Sequence, residues 1–156
     1  MRIVNLSLEG APKEVGSSFY CNNCANLTSL KGAPQKVGWS FDCGFCSKLT
    51  SLEGAPQKVT SSFYCNNCEN LTSLEGVSNE IWGDFSCNHC KSLTSLKGTP
   101  QSVGGYFNCS HCKELKSLEG APQNVGMDFS CYRCGIKFTK DDVKNICKVN
   151  INSIYV

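Results

Sequence analysis

A 22-residue unit recurs from Ser7 onward without an insertion or deletion. The chain reads "SLEGAPKEVGSSFYCNNCANLT", then "SLKGAPQKVGWSFDCGFCSKLT" from Ser29 and "SLEGAPQKVTSSFYCNNCENLT" from Ser51; three further copies begin at Ser73, Ser95 and Ser117. Phe19, Phe41, Phe63, Phe85, Phe107 and Phe129 are each 22 residues apart, as are Leu8, Leu30, Leu52, Leu74, Leu96 and Leu118 and both cysteines of every C-x-x-C pair. So short a unit buries too little apolar surface to offset its own chain entropy, so the copies cannot be separate domains. They must stack, each rung touching only its neighbours and like residues aligning in columns along one axis. Parallel pairing at ~4.8 Å per rung gives a stack about 30 Å long. The expectation is a single solenoid domain over 1–156, with a partial strand or cap at 1–6, repeats over 7–138 and a C-terminal helix-strand cap over 139–156.

Within a rung, Phe63 and Cys65 are two apart and share one face of a strand, while Tyr64 and Asn66 point the other way. The phenylalanine and first cysteine point inward. The second cysteine, then Leu71 and Leu74, follow at steps of three, as in a chain that leaves the strand and bends around the core. The column Gly10, Gly32, Gly54, Gly76, Gly98 and Gly120 predicts positive φ or a close approach of the backbone, and Pro12, Pro34, Pro56, Pro100 and Pro122 forbid a helix there. The fold class is therefore a β-rich solenoid with parallel strands, one per rung, and little helix. Only the fourth rung departs, reading "VSNE" in place of the proline. Beyond the repeats, "TKDDVKNICKVN" predicts a capping helix: Thr139 is its N-cap, Asp141 and Asp142 sit in its first turn, and Val143, Ile146 and Cys147 share one face. A terminal strand, "INSIYV", follows.

At this point the residues resemble a family. Phe63, Cys65, Cys68, Leu71 and Leu74 are similar to the LxxLxLxxCxxL core of leucine-rich repeats in their cysteine-containing form, with phenylalanine in place of the first strand leucine. "LTSLEGAP" resembles the short repeats of bacterial effectors, and the whole unit is similar to repeat proteins of bacteria and their phages. The resemblance implies a curved parallel sheet whose concave face binds partners, usually proteins.

Composition narrows the function. The 15 basic residues are answered by 13 acidic ones, for a net charge of +2, and no basic run occurs. That argues against a nucleic-acid or membrane surface. No window approaches the ~20 apolar residues that span a bilayer, and "MRIVNLSLEG" has no apolar leader stretch. Thirteen cysteines, an odd number, then read as reduced thiols in a bacterial or phage-infected cytoplasm rather than as a disulfide framework.

Both cysteine columns read first as core, because a free cysteine behaves as a small hydrophobe, and no cofactor is expected. The alternative is a metal protein. C-x-x-C is a half-site for zinc or iron–sulfur ligation, and the pairs Cys21 and Cys24, Cys43 and Cys46, Cys65 and Cys68, Cys87 and Cys90, Cys109 and Cys112, and Cys131 and Cys134 stack in register. A redox role for "CGFC" would need a helix N-terminus or a cation to lower a thiol pKa, which a strand rung does not supply.

Near-identical columns offer the same group repeatedly, whereas catalysis needs different groups converging. No Ser/His/Asp order, phosphate-binding loop or paired carboxylate stands out, so the chain reads as non-enzymatic. His89 and His111 fall in one column on adjacent rungs. Function is expected where columns vary: Tyr20, Trp39, Asp42, Phe45, Tyr64, Asn66, Asp84, Asn88, Tyr106, Asn108, Asp128 and Tyr132, flanked by Ser18, Asn22 and Ser40. Aromatic, hydroxyl and amide groups mixed in this way suit a protein-binding surface. Trp39, Phe45, Trp82 and Tyr132 are its candidate anchors. A structural subunit joining an assembly through an exposed strand edge is a further alternative, and the oligomeric state stays open.

Overall fold

The computed structural model describes residues 7–149 and 153–156. Its rungs wind into a parallel β-solenoid in which identical positions stack as the repeat demands. The strands that begin at each repeat phenylalanine are β2 (Phe19–Tyr20), β4 (Phe41–Asp42), β6 (Phe63–Tyr64), β8 (Phe85–Ser86), β10 (Phe107–Asn108) and β12 (Phe129–Ser130). With β13 (Ile154–Tyr155) they form one seven-stranded parallel sheet in the order β13-β12-β10-β8-β6-β4-β2. Phenylalanine faces phenylalanine at every step, from Phe19↔Phe41 to Phe107↔Phe129, and Ile154 takes the place of a seventh.

The inward columns are sealed. All six phenylalanines are fully buried, with ring centroids 4.9–5.9 Å apart along the stack. The first cysteines, the leucines after the turn and Leu8, Leu30, Leu52, Leu74 and Leu96 join them in a continuous core. Each buried phenylalanine or leucine contributes about 1.5–3 kcal/mol relative to exposure, which a lone rung could not accumulate. The glycine column has φ between 86° and 108°, as its sequence position predicts.

Each rung also carries a second short strand. These are β1 (Glu14–Val15), β3 (Lys36–Val37), β5 (Lys58–Val59), β7 (Glu80–Ile81), β9 (Ser102–Val103) and β11 (Asn124–Val125), built around a buried or half-buried column of valines and one isoleucine. They form two three-stranded sheets, β1-β3-β5 and β11-β9-β7, with a break between β5 and β7. The corner residue after each of these strands differs at the break. At Gly38, Gly104 and Gly126 an added Cβ would overlap the corner carbonyl of the rung before, so close pairing needs glycine. Gly38 N and Gly104 N reach the preceding rung's strand carbonyl at 2.7 and 2.8 Å. Thr60 in the same column stretches that bond to 3.2 Å, its hydroxyl bonding the Gly38 carbonyl. At Trp82 the ladder is open: no backbone hydrogen bond joins residues 79–82 to residues 57–60.

The cap follows its predicted start. Helix α1 (Lys140–Lys144) has Thr139 as N-cap, with a capping box closed by Asp142. It ends sooner than expected. Asn145 is its C-cap, so Ile146 and Cys147 lie beyond the helix: Val143 and Cys147 are buried, but Ile146 is 39% exposed and leaves the predicted apolar face. The chain then pairs Lys148 with Asn124 and adds β13 to the main sheet. The strand expected at residues 1–6 and the first two residues of "INSIYV" lie outside the described residues. No helix among the described residues is long and apolar enough to cross a membrane.

Candidate functional site

The C-x-x-C turn fixes where side chains go. Its second loop residue is left-handed in every rung: Asn23, Phe45, Asn67, His89, His111 and Arg133 have φ between 55° and 61°. For residues other than glycine this costs roughly 1–2 kcal/mol each, and it turns the second cysteine back under the sheet. There its thiol donates to the carbonyl of the first cysteine one rung earlier: Cys46 to Cys21, Cys68 to Cys43, Cys90 to Cys65, Cys112 to Cys87 and Cys134 to Cys109, at 3.2–3.3 Å. First-column thiols of Cys43, Cys65 and Cys109 donate forward to the next rung's backbone at 3.4–3.5 Å. These bonds require the protonated form. Burial supplies it, raising Cys43 and Cys65 well above the ordinary thiol range, Cys46 to about 12 and Cys68 to about 11. Cys134, half-buried at the last rung, runs the other way, its pKa lowered chiefly by the neighbouring Cys109 side chain.

For the metal alternative, the donors would be the twelve C-x-x-C thiols. Among the described residues no group of three or more histidine, cysteine or acidic side chains is placed to hold an ion. Ionising a second-column thiol would also delete its bond to the carbonyl behind it. All thirteen cysteines are free thiols.

Opposite the buried Phe and Cys columns lies the outward face of the seven-stranded sheet. Its three columns are the residue before each phenylalanine, the residue after it, and the first loop residue of the turn. Cross-rung contacts tie them together. Tyr64 donates its hydroxyl to Asp84 at 3.2 Å, and the other Asp84 oxygen accepts the Tyr106 N–H at 2.9 Å. Ser62 Oγ accepts the Asp84 N–H at 2.9 Å, and Ser110 and Ser130 hydroxyls meet at 2.8 Å. Asp42 accepts the Gly44 N–H at 2.8 Å; burial raises its carboxyl pKa and that N–H only partly opposes the shift. Burial likewise raises Tyr64. A face whose polar groups bond one another is preorganised, which lowers the ordering cost of binding.

The expected surface residues sort cleanly. Tyr20, Asp42, Tyr64, Asn66, Asp84, Asn88, Tyr106, Asn108, Asp128 and Tyr132 all lie in the three outward columns, exposed or half-buried. Trp39 borders the face at one edge, 64% exposed, and Phe45 at the other, 51% exposed in the left-handed turn. Trp82 stands apart, at the broken corner of the second side. His89 and His111 stack at 4.2 Å, nearly parallel, and Tyr132 meets His111 edge-on at 5.0 Å. Burial and then the neighbouring His89 lower the His111 pKa. Ring nitrogens carry their lone pairs in the ring plane, so parallel rings cannot aim them at one ion.

Two features escaped the sequence reading. The left-handed turn column was hidden by its diversity, although asparagine at Asn23 and Asn67 is the residue that tolerates this region best. Tyr155 joins the outward face, 52% exposed, because β13 pairs in register with β12; its spacing does not follow the repeat. With it, all five tyrosines of the chain lie on this one face.

The architecture defines a parallel β-solenoid of short cysteine-bearing rungs. Comparisons with protein-family models, with curated proteins and with solved structures each return no match.

Proposed function

We propose that the protein is a non-enzymatic binding module, a leucine-rich-repeat-like solenoid of bacterial or phage type acting in the cytoplasm, and that the outward face of its main sheet meets a protein partner. One observation carries the reading. Inward columns repeat almost unchanged, while the outward ones change from rung to rung and draw on only serine, tyrosine, asparagine, aspartate and a single glycine, Gly44. This is the alphabet of binding loops, in which tyrosine gives rigid contact area and the small polar residues give adaptable hydrogen bonds. Stability alone would not require such variation.

The test is photo-crosslinking of the full chain in extract of its source cells, with a benzophenone amino acid at Tyr64 on the face or at Lys58 on the second side. A protein captured from position 64 and not from 58 is the expected result. Equal capture from both positions, or capture from 58 alone, removes the face from the reading.

A further inference from the structure

The chain has net charge +2, yet among the described residues the outward face of the main sheet contains no lysine or arginine. Its only charged residues are Asp42, Asp84 and Asp128. Lysines sit instead on the other sides of the rungs, where Lys36 pairs with Glu14, Lys91 with Glu69 and Lys97 with Glu119. Among the described residues none of the three face carboxylates has an ion-pair partner. Among the described residues Arg133, in the turn column of the last rung, is the one arginine or lysine bordering the outward columns.

Two kinds of group thus dominate this surface, and both attract cations. A carboxylate does so by charge, and a tyrosine ring by the negative potential over its face. Their arrangement adds a spacing. Asp84 and Asp128 occupy the same column two rungs apart, and Tyr106, 47% exposed, stands on the rung between them. At ~4.8 Å per rung the two carboxylates are about 10 Å apart along the axis. A polyproline II segment advances ~9.3 Å in three residues and returns to the same side. A basic residue at every third position would therefore meet both carboxylates across one aromatic ring.

We propose that this face takes an extended cationic protein segment, with arginine or lysine side chains three residues apart set against Asp84 and Asp128 across Tyr106. The assignment rests on the reading of the face as a binding surface, and adds to it the chemistry of the partner. Nucleic acid is disfavoured by the sign of the charge.

The test uses the full chain and three fluorescein-labelled peptides: four Arg-Pro-Pro repeats, the same peptide with glutamate for arginine, and a peptide with its four arginines contiguous. The spaced arginine peptide is expected to bind at least about tenfold more tightly than the contiguous one, more weakly as salt rises, with no binding of the glutamate peptide. D84N with D128N is expected to weaken binding at least about tenfold, and Tyr106→Ala to a similar degree, with unchanged circular dichroism. Should the double variant fail to fold, D128N alone serves, since the Asp128 carboxylate accepts no hydrogen bond from the described residues, only its backbone carbonyl doing so. Three outcomes overturn the proposal: equal binding of arginine and glutamate peptides, no arginine-peptide binding at about 1 mM, or affinity unchanged in D128N. Self-association of the free chain that the carboxylate variants abolish would also overturn it, by making a second copy the occupant. A partner crosslinked at position 64 that lacks any basic segment would keep the face and remove its cation preference.

Discussion

The two sides of each rung obey the same repeat and meet different fates. On the phenylalanine side, seven strands pair without interruption; on the valine side the ladder breaks once, between β5 and β7. The difference lies in what each corner demands. The main sheet's core contacts are made by buried side chains, so residues of different kinds stand on its outward face. The second side brings backbone against backbone at Gly38, Gly104 and Gly126, and it is open at the rung that carries Trp82 in the corner column. Variation is thus tolerated where it is available for binding and damaging where the chain itself is the packing surface.

The hardest test of this contrast is alkali, because the buried ionisable groups belong to the sulfur columns of the main sheet. A thiol whose pKa is higher in the fold than its unfolded value of 9.0 keeps its proton when folded and releases it when unfolded. Its contribution is intact below about pH 9 and is lost as pH climbs through the folded values of about 11 for Cys68 and about 12 for Cys46 and Cys131. With many such thiols acting together, denaturant midpoints are expected to be flat up to about pH 8.5 and to collapse by roughly pH 10.5. A midpoint unmoved at that pH would mean that the thiols are not buried as donors.

Next in size is a pair of truncations on neighbouring strands of one rung. Phe63→Ala, in the centre of the ring stack, should cost about 3–5 kcal/mol in equilibrium unfolding. Val59→Ala, beside the break, should cost about 2 kcal/mol or less, since fewer methylenes are lost where the sheet already ends. Equal losses would erase the distinction between the sides.

The smallest expected effect is local. Amides of residues 79–82 should exchange with solvent faster than the equivalent amides of 101–104, whose ladder to the preceding rung is complete. Trp82→Gly should slow exchange at 79–81 while changing global stability by about 1 kcal/mol or less. No slowing would show that "VSNE", and not the corner side chain, keeps the strands apart.

Much of the architecture was legible because the repeat places like atoms on like atoms: Phe63 opposite Phe41 and Phe85 needs only the period and the alternation of a strand. Thr139 and Asp142 likewise announced the helix start through local chemistry. Other features depend on how closely neighbouring rungs approach, which spacing along the chain does not encode. The second strand around Val59 hid in a segment of glycine and proline, and the break falls at the rung whose corner residue is Trp82. Ile146 followed the helical period on paper, but the helix ends at Asn145 before reaching it. For the candidate surface, columns gave the residues and the sheet gave their contacts; the bond from Tyr64 to Asp84 crosses a rung boundary.

The unslipped stacking of Phe19 on Phe41 and so on down the chain makes each turn an exchangeable cassette. Residues 7–28 and 51–72 present the same interior to their neighbours and differ in only a few surface letters. Such a chain can rewrite what it displays by shuffling whole turns, leaving its interior untouched, provided the turn bearing Trp82 keeps its place.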